Sequence, residues 1–174
     1  MRRRRRGDYD RELANAHWDA LAVVLGLFFL FRGKRLSPAA TNTPLKTADV
    51  LAALRGAGVS DSALALVAAH SAFETAGWVG CWNFNLGNIT QPDLKQPHVY
   101  QPGNALPFAT YANLGAGAQG FVDHLTRIGA LAVAPDLDAY VDALKRSDYA
   151  GPLANYDDYK AGIVRWLSSL KVQT

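Results

Sequence analysis

The chain has 174 residues, a formal net charge of +3 and one cysteine. A domain of this length buries roughly 70% of the surface its unfolded chain exposes, so it needs no covalent staple, and the lone Cys81 excludes both an intramolecular disulfide and a clustered-cysteine zinc site. Residues 1–35 hold nine Lys and Arg against four acids, a balance of +5 that leaves the remainder at −2; no basic footprint covers the rest of the chain, and no specific nucleic-acid partner is expected.

The head joins MRRRRR to an unbroken apolar run, ALAVVLGLFFLF at Ala20 to Phe31, followed by RGKR. A helix over that run spans about 18 Å against a hydrocarbon core of about 30 Å, short for an easy crossing. It suits a signal or signal-anchor segment, a membrane-surface helix, or a helix packed on another protein. Residues 1–35 are therefore predicted to be a separate hydrophobic helix whose partner is a membrane or other proteins of an assembly. LSPAATNTPLK, residues 36–46, reads as a linker, and a module follows over 47–174.

Within the module, Thr47 is a candidate N-cap for a helix through Leu54, closed by Gly56 to Gly58. Ser60 and Asp61 cap the next helix, whose alanines and apolar positions Leu64, Val67, Ala68 and Phe73 mark it as the central helix, surrounded by others. It ends at Glu74. From Ala76 to Asn113 periodicity gives way to Gly, Asn, Pro and aromatics, an irregular lobe with room for a short hairpin; loops of that length in a compact domain usually carry function. Helical pattern returns over 114–128, over 137–146 after Pro135 and Asp136, and over 155–170 with Asp157 and Asp158 in the first turn. The expected fold is mainly α.

Chemistry concentrates at HSAFETAGW, His70 to Trp78. The chain has thirteen aspartates and two glutamates, and beyond Glu12 the only glutamate is Glu74. A carboxyl group in apolar surroundings loses hydration of its charged form and holds its proton nearer neutrality, the preparation of a general acid that protonates a glycosidic oxygen. The plainer alternative is a helix-end glutamate pointing into solvent. In the lobe, Trp78, Trp82, Phe84, Tyr100, Phe108 and Tyr111 are interleaved with Asn83, Asn85, Asn88, Gln91 and Asn104. Flat rings cover a pyranose face and amides fix hydroxyl and acetamido groups, although any single tryptophan is as well explained by the lobe's own core.

Taken in order, these segments resemble the glucosaminidase group of peptidoglycan hydrolases in the lysozyme-like superfamily. ALVAAHSAFETAGW is similar to the family's helix of small residues ending at the catalytic glutamate; NFNLGNI, Asn83 to Ile89, is similar to its Asn-rich turn. PFATYANLGAGAQGFVDHL and ALKRSDYAGPLANYDDYKAGIVRWL resemble its tyrosine-preceded helix and its closing segment. The resemblance covers about residues 45–170 and implies a lysozyme-like α+β fold and cleavage of β-1,4 bonds in peptidoglycan strands, without a cofactor or metal. It implies Glu74 as catalytic acid and Tyr111 as the tyrosine near the cleaved bond. Asn85, Asn88 and Ile89 then line the groove, and Tyr149 matches a groove tyrosine of the closing segment; from the lobe's own aromatics, Trp78, Trp82 and Tyr100 are added as candidate substrate contacts. LGNI stands where many members have Phe-Gly before the isoleucine, and the lobe is short of acids.

Between Glu74 and Asp123 the one carboxylate is Asp93, so a paired mechanism needs Asp93 within roughly 5 to 10 Å of Glu74. Otherwise the substrate helps, through its 2-acetamido group or, as in lytic transglycosylases, the muramyl 6-hydroxyl. His70 shares a helix face with Glu74 at i and i+4, but the pattern is not HExxH, and His70 is expected to pack behind Glu74 as a hydrogen-bonded core residue. A wall-cleaving enzyme at the cell envelope or in a phage particle fits these features. The rival is a lysozyme-like module kept as a structural or glycan-binding part without catalysis.

Overall fold

The computed structural model describes residues 39–91, 97–151 and 154–171. The expected N-terminal anchor helix, residues 1–35, and Asp93 lie outside the described residues. Among the described residues no helix is long and apolar enough to cross a membrane.

Among the described residues six helices and one hairpin follow in order: α1 Thr47–Gly56, α2 Asp61–Glu74, β1 His98–Tyr100, β2 Pro107–Ala109, α3 Leu114–Arg127, α4 Ala130–Val133, α5 Leu137–Arg146 and α6 Tyr156–Lys171. The fold is mainly α, as the helical periodicities imply. The caps are readable in the residues. Ser60 accepts from the Ala63 N–H, Asn113 from the Ala116 N–H at 2.9 Å, and Asp136 from the Asp138 and Ala139 N–H groups at 3.0 and 3.1 Å. At α1 the N-cap is Lys46, so Thr47 starts the helix instead of capping it.

α2 is buried nearly all round, from Ala63 through Ala72, which is why it lacks a polar face and why so many of its residues are alanine. Neighbouring helices approach closely: a Cβ at Gly162 of α6 would collide with the Phe73 ring. The core around α2 joins Val50 and Leu54 of α1, Phe121 and Leu125 of α3, Tyr140 and Leu144 of α5, and Tyr159 and Ile163 of α6. Each large apolar side chain so enclosed contributes about 1.5–3 kcal/mol.

The lobe between α2 and α3 holds little regular structure. β1 and β2 pair antiparallel with Val99 opposite Phe108, and residues 89–91 join the other edge of β2 through Ala109 N–H to Ile89 O at 2.9 Å and Gln91 N–H to Pro107 O at 2.7 Å. The second half of the expected linker belongs to this lobe. Thr43 N–H bonds Cys81 O at 3.2 Å, Leu45 N–H bonds Trp78 O at 3.2 Å, and Asn83 N–H bonds Thr41 O at 2.8 Å. A Thr- and Pro-rich stretch is extended by preference, and here an edge of the lobe offers its backbone partners.

Candidate active site

α2 stops sharply. Beyond the C-cap Thr75, three successive residues, Ala76, Gly77 and Trp78, have φ of 50°, 71° and 65°. Left-handed backbone suits glycine but strains alanine and tryptophan, and such strain persists where the surroundings over-determine it. Here Thr75 Oγ1 donates to Ser71 O at 2.7 Å and accepts from the Trp78 N–H at 3.2 Å, while the indole N–H donates to Ser71 Oγ at 3.0 Å. At Gly77 a Cβ would also meet the Trp166 ring. The chain thus reverses directly after Glu74.

The Asn-rich turn is tied to the same helix end. Asn88 donates to the backbone carbonyl of Glu74, and Ser71 Oγ donates to Leu86 O at 2.9 Å. Asn85, wholly buried, closes the turn on itself: its amide donates to Ile89 O at 2.9 Å and Ala109 O at 3.1 Å, and its oxygen accepts from the Ile89 N–H at 2.9 Å.

Behind Glu74 stands His70, 0% exposed, with Nδ1 2.8 Å from the Tyr140 hydroxyl and Nε2 2.7 Å from the Tyr159 hydroxyl. The Tyr159 hydroxyl in turn donates to Glu74 Oε1, while His70 Nε2 lies 3.7 Å from that oxygen, beyond hydrogen-bond reach. His70 is the hydrogen-bonded core residue the sequence suggested, with both ring nitrogens committed to tyrosines. Burial and then the Glu74 charge push the Tyr140, Tyr149 and Tyr159 hydroxyls well above the usual phenol range, so all three stay protonated and available as donors.

The Glu74 side chain, 14% exposed, opens into a cleft of about 490 Å³. Gly87, Asn88, Ile89 and Thr90 line it from the turn, His124, Arg127 and Ile128 from the end of α3, and Ser147, Asp148 and Tyr149 from the loop after α5. That volume lies in the range of small-ligand sites. Tyr149 fixes this loop to the turn, its hydroxyl donating to Gly87 O at 2.5 Å. Because guanidinium has no acceptor, the 2.9 Å contact between Arg127 Nη2 and His124 Nδ1 has arginine donating, which leaves the His124 proton on Nε2. Burial, with the charge of Arg127 and then His70, pushes His124 down to about 4, so it enters the cleft as a neutral imidazole. Cys81 is no nucleophile, since burial pushes its thiol up to about 12.

Of the residues selected from sequence, Glu74, Asn88, Ile89 and Tyr149 meet in this cleft. Others do not. Trp78 is 2% exposed with its indole N–H bonded inside, and Asn85 is 0% exposed, so both build the site from behind and neither reaches a groove. Trp82 is half-buried in a bridge with Asn42, and Tyr100 stands 47% exposed on β1 beside the His98 ring; neither lines the cleft. Tyr111 also lies outside the lining, its ring against Gly120 of α3, its hydroxyl raised by burial and then by Asp123. The tyrosine touching Glu74 is Tyr159. Its signal was present, because Tyr159 and Ile163 share the inner face of α6, and a tyrosine at a core position needs a partner for its hydroxyl. His124 and Arg127, one turn apart at the end of α3, were missed for want of any motif.

The architecture is mainly α, a central buried helix ending in a glutamate beside an irregular lobe with a small hairpin. Among solved structures, the glycoside hydrolase domain from Salmonella typhimurium FlgJ is similar, with a TM-score of 0.51 and 19% identity over 74% of this chain and 91% of that one. A C-terminally truncated form of the same domain matches with a TM-score of 0.49 and 19% identity, covering 74% of this chain and all of that one. No family model and no curated protein matches the chain.

Proposed function

We propose that the protein is a peptidoglycan hydrolase that cleaves β-1,4 bonds of the glycan strand, with Glu74 as general acid. The observation that carries this reading is the carboxyl of Glu74, at the end of a buried helix, held on one oxygen by Tyr159 and opening into a cleft of about 490 Å³. Glu74 protonates the glycosidic oxygen, the bond from that oxygen to the anomeric carbon breaks with its electron pair going to the leaving sugar, and the resulting carboxylate takes a proton from the group that attacks next. Tyr149 and Asn88, both at the cleft, suit contacts to sugar hydroxyl and acetamido groups.

Among the described residues the other carboxylate lining the cleft is Asp148, from the loop after α5. It joins Asp93 as a protein group to test as partner of Glu74; failing both, the 2-acetamido group of the substrate supplies the nucleophile. The basic, apolar head at residues 1–35 would then hold the enzyme to the cell envelope or to a wall-penetrating particle. Zymography of the purified full chain on cell walls, beside Glu74→Gln, tests the function: clearing by the unmutated chain alone supports it, and no clearing by either, or equal clearing by both, defeats it. Mass spectrometry of the products names the bond. A reducing N-acetylglucosamine end marks a glucosaminidase, reducing muramic acid a muramidase, and a 1,6-anhydro end a transglycosylase.

A further inference from the structure

The contacts behind Glu74 form a chain, Tyr140 to His70 to Tyr159 to Glu74, whose direction can be fixed by counting donors. Tyr140 and His70 are both 0% exposed, and among the described residues the Tyr140 hydroxyl has no hydrogen-bond partner besides His70 Nδ1. If His70 carried its proton on Nδ1, or carried two, the Tyr140 oxygen would have to accept from it. The Tyr140 hydrogen would then point into the core without an acceptor, a defect that folded proteins avoid. If His70 carries one proton, on Nε2, no donor is left over: Tyr140 donates to Nδ1, Nε2–H donates to the Tyr159 oxygen, and Tyr159 donates to Glu74 Oε1. The other groups facing the ring do not change this count. Tyr149, at 4.9 Å between ring centroids, spends its hydroxyl on Gly87 O; Phe121, at 5.4 Å, has none to offer; and His124 is neutral with Nδ1 occupied by Arg127.

We infer that Tyr140, His70 and Tyr159 are a one-way donor chain that keeps Oε1 of Glu74 a standing acceptor, so that the proton Glu74 exchanges with substrate resides on Oε2. The inference rests on Glu74 being the acid of the proposed reaction, and the three residues are positioning residues. Oε1 faces buried Tyr159, and a proton held there would be directed at the core. With Oε1 committed, the Oε2–H bond is the one that breaks as the glycosidic oxygen gains its proton. The carboxylate left behind still accepts from Tyr159, and Oε2 takes the next proton from the attacking water. No proton travels along the chain in either step.

Nitrogen NMR of the full chain with 15N-labelled histidine tests this, since two-bond couplings from the ring protons distinguish a protonated from a bare ring nitrogen. The expected result is His70 with Nε2 protonated and Nδ1 bare under the conditions in which walls are cleared. An Nδ1-protonated ring, or a doubly protonated one, under those conditions overturns the inference. Tyr140→Phe removes only the donor to Nδ1; His70 should lose its single tautomer and kcat should fall several-fold with KM little changed, whereas a ring still fixed on Nε2 overturns the chain. The two readings fail separately. A wild-type chain that clears no wall but shows the Nε2–H tautomer sinks the enzymatic reading alone, and an active chain with an Nδ1–H ring sinks this one alone.

Discussion

On one side of Glu74 stand α2, α5 and α6, where an apolar core encloses a few polar groups that satisfy one another: His70 with two tyrosines, and one of those tyrosines with the carboxyl. On the other side lies the lobe, where Ser71, Thr75, Asn83, Asn85 and Asn88 hold irregular backbone by side-chain bonds, and β1 and β2 are three residues each. The helical side fixes the chemical state of the acid; the lobe side fixes the position of the backbone around it. A defect on the first should therefore reach the acid through the core and be costly to folding, while a defect on the second should loosen the cleft at smaller cost.

The largest expected effect tests whether the two sides converge on a working acid at all. Glu74→Gln keeps the size of the side chain and an acceptor for Tyr159 but cannot deliver a proton, so wall clearing should fall by about 10²–10⁴-fold with a thermal midpoint close to that of the unmutated chain. A turbidity assay on purified walls reads the first quantity and calorimetry the second; retained clearing removes Glu74 from the mechanism.

Next comes the asymmetry itself. His70→Ala empties a buried site, leaves the Tyr140 hydroxyl without a partner and takes from Tyr159 one of its two, at a cost of about 3–5 kcal/mol. Asn85→Ala, equally buried, removes three bonds to backbone groups near the lobe surface, some of which water can replace, and should cost about 2 kcal/mol. Urea unfolding of both variants decides the matter, and an Asn85 variant weaker than the His70 variant would invert the comparison.

The helical side was largely legible in the residues because helices announce themselves through period and caps. Ser60 caps where expected, and the alanine-rich run to Glu74 is the central helix. The lobe was not legible at the level of roles. Trp78 follows Glu74 so closely that it reads as a sugar platform, yet a left-handed backbone and a bond to Ser71 turn the indole into the core, the ordinary fate of so large an apolar surface. Asn85 and Asn88 sit in one motif but divide the work, one pinning the turn from inside and the other meeting the cleft; their spacing alone does not say which. Tyr111 and Tyr159 differ in the same way. Both are tyrosines in segments singled out from sequence, and only packing on α2 brings one of them to the acid.

His124 joins the two sides, since it lines the cleft while its ring packs edge-on against Tyr149 at 5.2 Å. Its pKa is lowered to about 4 in the fold from an ordinary 6.5, so between those values the unfolded chain binds more protons than the native one. Stability from this group is complete above about pH 6.5 and is lost as pH falls through that window toward 4. His124→Gln should flatten the rise of stability with pH across the window while leaving stability near pH 8 within about 1 kcal/mol, as read from urea midpoints in a pH series. A slope unchanged by the substitution would mean that solvent reaches the ring and that the cleft wall at α3 is wetter than the packing against Tyr149 implies.

The smallest expected effect isolates the lobe from folding. Tyr100 is 47% exposed on β1, opposite Pro107 in the hairpin register, and outside the cleft lining. Tyr100→Ala should shift stability by no more than about 0.5 kcal/mol, because an exposed edge side chain gives up little on truncation. Its effect on substrate is the informative part. If the glycan strand extends from the cleft over the hairpin, the exposed ring covers a sugar face, and the substitution raises KM for wall fragments by a few-fold with kcat unchanged, the mark of binding spread equally over ground and transition states. If KM for long and short fragments stays the same, the strand does not cross the hairpin, and the groove is confined to the residues between the Asn-rich turn and the end of α3.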